Sequence, residues 1–300
     1  METRFLDFDL NDDDFFKNYF NNDNIFRAFL YAKKAHFGQK RKSGEDYVIH
    51  PVEVALRLHK KYKDEILTIS GLLHDTIEDC ESVTAECIYN EFGKKVGFIV
   101  DSLNKRINSF YEFPEKVFEN KTTRFLWAGL QDTRVFLVKI ADRENNLQTI
   151  SELKNNKQVR MIFETQAVFQ PLKNILQYDK KIDIKKTNLN FEKFLIKNKL
   201  DDNMKNIDKL KQILYDESFN AFDEGLFDIV YENASHIVWK VEGWEMFDKL
   251  STHRSFKNKI EILKVQSDGT NVNVDFKFKT GIVPNKSNKM KMKISTFSQK

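Results

Sequence analysis

Cysteine is nearly missing from this 300-residue chain. The two that occur, Cys80 and Cys87, stand in an acidic stretch without C-x-x-C spacing, which excludes a disulfide framework and points to reduced thiols. Proline (4) and glycine (10) are scarce, so helix breakers are few. No apolar run approaches the ~18 residues of a membrane span. The first residues, Met1 to Phe16, carry acids where a signal peptide needs basic and then apolar side chains. These absences predict a soluble, cytoplasmic protein. A strong charge of one sign is also lacking, because 49 basic residues nearly balance 45 acidic ones for a net charge of +4. That argues against a dedicated nucleic-acid binder and leaves small anionic ligands open.

Apolar residues are plentiful. At 41% hydrophobic and 31% charged, the composition is that of a globular protein. Its length suits one large or two ordinary domains. From Asn24 to about Tyr178, apolar residues recur at three- and four-residue spacing, which predicts an all-α region. The expected helices run over Ile25–Phe37, from His50-Pro51, and over Glu65–Asp79, Thr84–Phe92, Lys95–Asn104, Lys116–Leu130, Thr133–Ile150 and Gln158–Gln177. Proline at the first helical position places His50 at a helix start. The stretch Gln39 to Asp46 reads as a loop. Asp179 to Asn190 reads as a linker, followed by a helix over Phe191–Tyr215 and a strand pair, Lys257–Val265 with Asn271–Lys279, joined by the turn signal Ser267-Asp-Gly-Thr270. From Lys286 on there are five lysines and no acid, a pattern that predicts a solvated tail. The expected organisation is an acidic segment over 1–23, an all-α domain over 24–180 and a smaller α+β domain over 181–300.

The adjacent pair His74-Asp75 lies in Gly71-Leu-Leu-His-Asp-Thr-Ile-Glu-Asp79. Imidazole nitrogen and carboxylate oxygen together suit divalent ions such as Mn²⁺, Fe²⁺ or Zn²⁺. On a continuous helix, Glu78 and Asp79 would lie on the same face as the pair. A second histidine, His50, stands upstream. A second aspartate, Asp142, ends the apolar run Val135–Ala141, where an unpartnered charge would be costly to bury. His50, His74, Asp75 and Asp142 are therefore candidate ligands of one metal, with positions left for water and substrate. His36 reads as a packing residue that caps the first helix. His59, His236 and His253 have no partner pattern and are read as non-ligands. Lys139 and Arg143 fit either phosphate neutralisation or a structural ion pair.

A series of motifs carries a resemblance. His36-x-Gly-Gln-x-Arg-Lys-Ser-Gly44, Tyr47-x-Ile-His-Pro51, Leu72-Leu-His-Asp-Thr-Ile-Glu-Asp79, Glu91-Phe-Gly93 and Asp132-x-Arg-Val-x-Leu-Val-Lys-Ile-Ala-Asp-Arg143 follow one another at the spacing of the hydrolase domain of RelA/SpoT homologues. The chain resembles that family over residues 24 to 178. The resemblance implies an HD-domain hydrolase fold and removal of the 3′-pyrophosphate of ppGpp or pppGpp. It implies Mn²⁺ on His50, His74, Asp75 and Asp142, with Glu78 and Asp79 positioning and activating water. It also implies nucleotide contacts from Arg41, Lys42, Ser43, Arg143, Asn146 and Thr149, Arg41 being able to stack on a purine.

Two departures stand out. The family's D-R-L-H-N reads Asp142-Arg-Glu-Asn-Asn146 here, so Glu144 and Asn145 are expected to change the pocket lining. That keeps an adenosine analogue of ppGpp, or NADPH, open as substrate, and beside it a non-hydrolytic nucleotide sensor. After Tyr178 no synthetase motif is legible, so alarmone synthesis is not expected. The C-terminal residues are read as regulatory, as a homo-oligomer contact or as a partner-binding surface.

Overall fold

The computed structural model describes residues 8–41, 44–104, 121–154, 157–158, 161, 165–200, 207–214, 260–267, 271–278 and 288–293. Among these, one compact unit gathers the residues up to Asn145 together with 180–193. The other takes 146–179 and the residues from 194 onward.

The first unit is helical. It opens with α1 (Asp13–Phe20), whose N-cap Asp12 accepts a 2.8 Å hydrogen bond from the backbone of Phe15. The acidic start of the chain thus contains a helix. Asp13 and Asp14 occupy its first turn, where they favour the positive end of the backbone dipole, and Phe16 and Phe20 form its buried face. Phe16 stacks on Phe29 at 4.2 Å. In α2 (Asp23–Ala35) the buried residues Ile25, Ala28, Phe29 and Ala32 keep a helical spacing, and Asn22 caps the start.

Helices α3 (Ile49–Tyr62) and α4 (Glu65–Leu73) form the centre of the unit and are buried over most of their lengths. They approach closely at Gly71, where a Cβ would lie 3.2 Å from Ala55 Cα. The expected single helix over Glu65–Asp79 breaks at His74 and Asp75, and a short α5 (Thr76–Asp79) follows. Side chains explain the break: Thr76 Oγ1 donates to Leu73 O (2.7 Å), and His74 Nδ1 lies 2.8 Å from Gly71 O. These bonds compete with the regular ladder. Gly93, at φ +84, separates α6 (Ala85–Phe92) from α7 (Lys94–Leu103).

Two further helices, α8 (Lys121–Gln131) and α9 (Arg134–Gln148), complete the unit's order up to Asn145. Arg134 forks onto both carboxylate oxygens of Asp64, each at 3.0 Å, and also bonds Asp132. Asp64 is the N-cap of α4, accepting from Leu67 N at 2.7 Å. This bidentate pair ties α9 to α4, the elements that carry Asp142 and lead to His74.

The second unit holds a 3₁₀ turn (Ile150–Glu152), a π turn (Thr165–Phe169), α10 (Gln170–Leu176), a helical stretch over 207–214 and a sheet. The sheet has order β1 (Ile260–Ser267), β2 (Asn271–Phe278) and β3 (Asn288–Lys293), with both pairings antiparallel. Asn271 pairs with Lys293, so part of the lysine-rich end forms a strand where a solvated tail is expected. The register shifts between Ile262 and Lys264, a β-bulge. Helix α11 (Ile184–Lys197) starts within the expected linker, and its residues up to Lys193 belong to the first unit. Among the described residues, no helix is long and apolar enough to cross a membrane.

Candidate metal centre

Three elements converge on one buried point. His50 comes from the first turn of α3, His74 and Asp75 from the break after α4, and Asp142 from α9. His50 Nε2 lies 3.2 Å from Asp142 Oδ1 and 3.4 Å from Asp75 Oδ2. His74 Nε2 lies 3.3 Å from Asp75 Oδ1 and 3.8 Å from Asp142 Oδ1. The ligand atoms of His50, His74 and Asp142 fall within 4.8 Å of one another, and all three residues are buried.

This donor set fits a divalent cation. A backbone carbonyl can only accept, so the 2.8 Å contact to Gly71 O places the proton of a neutral His74 on Nδ1. Nε2 then presents a lone pair to the centre, where it has no hydrogen-bond partner. A buried nitrogen aimed at two carboxylates without a hydrogen bond suits a shared ion. The mixed nitrogen and oxygen set suits Mn²⁺, Fe²⁺ or Zn²⁺ better than Ca²⁺. The cluster can therefore hold a divalent metal.

The electrostatics favour charged carboxylates. Burial opposes the charge on Asp142, but the ammonium of Lys139 outweighs it and, with the neighbouring His50 and His74, holds its carboxyl well below the usual range. Lys139 Nζ sits 2.6 Å from Asp142 Oδ2 in an ion pair. For His50, burial lowers the pKa, yet the neighbouring Asp142 and Asp75 raise it to about 9, so its Nε2 carries a proton that a cation at the centre would replace.

Beside the cluster, Asp79 is exposed and Glu78 half-buried. Tyr47 joins the two acidic groups: its hydroxyl oxygen lies 2.7 Å from Asp79 Oδ2 and 2.9 Å from Asp75 Oδ2. A phenol has one proton, so it serves one carboxylate at a time. Burial, then the Asp75 charge, raises the Tyr47 pKa, so the hydroxyl stays a donor. Sequence reasoning assigned Tyr47 no role, although it stands in Tyr47-x-Ile-His-Pro51.

Of the expected nucleotide contacts, Arg41 is half-buried and reaches Asn145 Oδ1 at 3.4 Å. Lys42 and Ser43 lie outside the described residues. Arg143 and Asn146 lie on α9, and Thr149 follows its end. His36 is buried, caps α2 and stacks on Tyr47 at 5.0 Å, in keeping with a packing role. His59 packs against Phe20 and Tyr19 and approaches Thr68. His236 and His253 lie outside the described residues.

Glu144 and Asn145 are only 3% and 1% exposed. Glu144 pairs with buried Arg57 at 3.6 Å, and Asn145 contacts His50, Glu53 and Arg41. Sequence reasoning gave Glu53 and Arg57 no role. A signal existed, since both interrupt the otherwise apolar stretch Val52–Leu58 of α3.

The HD domain family model matches residues 28–177, half of the chain. A GTP pyrophosphokinase of Myxococcus xanthus is 41% identical over 158 residues, covering 51% of this chain and 21% of that protein. A guanosine-3′,5′-bis(diphosphate) 3′-pyrophosphohydrolase of Borreliella burgdorferi is 35% identical over 158 residues, covering 52% and 23%. The chain spans about a fifth of the length of these curated relatives. A solved structure of a metazoan ortholog of SpoT is 18% identical with a TM-score of 0.39, covering 59% of this chain and 96% of its own. The buried His-Asp cluster and the matched segment coincide, and the chain belongs to the HD-domain family.

Proposed function

We propose that this protein hydrolyses the 3′-pyrophosphate of guanosine alarmones, converting ppGpp or pppGpp to GDP or GTP and pyrophosphate, and that it makes no alarmone. The observation that carries this reading is the buried cluster of His50, His74, Asp75 and Asp142 inside the segment shared with ppGpp 3′-pyrophosphohydrolases. These four residues would hold Mn²⁺. When bound, the ion supplies Lewis acidity and neutralises charge developing on the phosphate oxygens. The protein's own groups do the rest. Glu78 and Asp79 orient the attacking water and take its proton, a task suited to carboxylates at the rim of the cluster. Tyr47 aims Asp79 through its 2.7 Å contact. The water oxygen bonds to the phosphorus on O3′, the P–O3′ bond breaks, and the departing ribose oxygen takes up a proton. Arg41, Lys42 and Ser43 hold the base and nearby phosphates, with Arg143, Asn146 and Thr149 completing the nucleotide contacts. Residues 24–180 form the hydrolase domain of this proposal, with α1 and the residues of α11 up to Lys193 packed into the same unit as its cluster, and the remainder of residues 181–300 serves regulation or association. The reaction takes place in the cytoplasm.

The test is a panel of ppGpp, pppGpp, its adenosine counterpart and NADPH, incubated with the protein and Mn²⁺. The expected result is pyrophosphate released from the guanosine compounds and lost in Asp75→Ala. Turnover confined to the adenosine compound or NADPH would reassign the substrate. Tight binding without turnover would make the protein a sensor.

A further inference from the structure

A chain of three buried side chains leads away from His50. His50 Nδ1 lies 2.6 Å from Asn145 Oδ1, and Asn145 Nδ2 lies 2.6 Å from Glu53 Oε2. His50, Asn145 and Glu53 are 2%, 1% and 7% exposed, so water does not compete for these bonds. The orientation of the Asn145 amide assigns the donors and acceptors. A carboxylate accepts only, so the amide of Asn145 must turn its NH₂ toward Glu53. The amide oxygen then faces His50, and Nδ1 must carry the proton. That leaves Nε2 for the point shared with Asp75 and Asp142, 3.4 and 3.2 Å away. The same amide oxygen lies 3.4 Å from Arg41 Nη1, so one side chain meets both the metal cluster and the substrate loop.

We infer that Asn145, oriented by Glu53, is the positioning residue that fixes the tautomer and ring orientation of His50 for metal binding. This rests on the reading of His50 as a metal ligand. Partners of this kind fix ring orientation and raise ligand basicity, and their loss typically costs 10- to 100-fold in metal affinity. The arrangement belongs to this chain's own residues, because Asn145 stands where the family pattern has histidine.

The test is calorimetric titration of the full chain with Mn²⁺. Asn145→Leu keeps volume but removes both bonds, and is expected to weaken affinity by about 10- to 100-fold. Asn145→Asp sets two carboxylates against each other and also weakens it. The double variant Glu53→Gln/Asn145→Asp exchanges donor and acceptor along the same path and recovers most of the affinity. A merely structural role would not produce that recovery. Wild-type affinity in Asn145→Leu, or no recovery in the double variant, overturns the inference. Should Asn145→Leu fail to fold, long-range ¹H–¹⁵N spectra of the wild-type chain with Zn²⁺ decide: a proton on His50 Nδ1 supports the inference, and one on Nε2 overturns it. Failure of the underlying reading looks different, because wild type and His50→Gln would then bind Mn²⁺ alike.

Discussion

His59 shows how burial rather than chemistry can give a histidine its importance. It is 5% exposed and packs against the rings of Phe20 and Tyr19. Burial, then the charge of Lys63, lowers its pKa from 6.5 to about 4. The folded chain therefore keeps it neutral while the unfolded chain protonates it, so stability falls as pH drops from about 6.5 toward 4. The slope from this group reaches ~1.4 kcal/mol per pH unit and flattens below the folded pKa. Urea unfolding across this range should show the loss in wild type and a shallower loss in His59→Gln; equal slopes would refute the assignment. At this scale the metal cluster was legible, because His74-Asp75, His50 and Asp142 are rare groups in apolar surroundings. The residues behind them were not. Glu53 and Asn145 act through contacts between helices far apart in sequence, and nothing local announces that a Glu on α3 meets an Asn on α9.

Among the elements, α8 and α9 meet at Gly129. A Cβ there would stand 2.1 Å from Cε1 and Cζ of Phe136, a fully buried ring. Gly129→Ala must displace that ring and is expected to cost about 1–3 kcal/mol, seen as a lower thermal midpoint. A midpoint equal to wild type would mean that the helices separate freely. Helix existence followed from apolar spacing, as Ile25, Ala28, Phe29 and Ala32 on α2 illustrate. What spacing hides is local competition. The break after α4 comes from Thr76 and His74 bonding carbonyls of their own turn, and a run of helix formers conceals it. Helix α1 escaped notice because its acids dominate the composition while its two buried phenylalanines sit only one turn apart. Strand β3 was hidden likewise: Met290 and Met292 alternate with lysines, a strand period lost within a lysine-rich end.

At the scale of the whole molecule, the unit with the metal cluster is not one continuous piece of chain. Residues 180–193 belong to it, and α11 supplies Phe191, edge-on to Phe136 at 5.7 Å, and Asn188, 2.5 Å from Thr133 Oγ1. Phe191 is 2% exposed, so Phe191→Ala should cost about 3–5 kcal/mol. Ile196, on the same helix but 77% exposed, serves as the control, and its replacement by Ala should change stability by under about 0.5 kcal/mol. Equal effects in chemical denaturation would show that α11 contributes no specific packing. This discontinuity also orders events in time. During synthesis, residues up to Asn145 emerge with Phe136 still lacking its cover, and they must wait for residues 146–179 to follow before Phe191 arrives. Closing that loop carries an entropic cost paid late. The first unit can be completed only after about two thirds of the chain has been made.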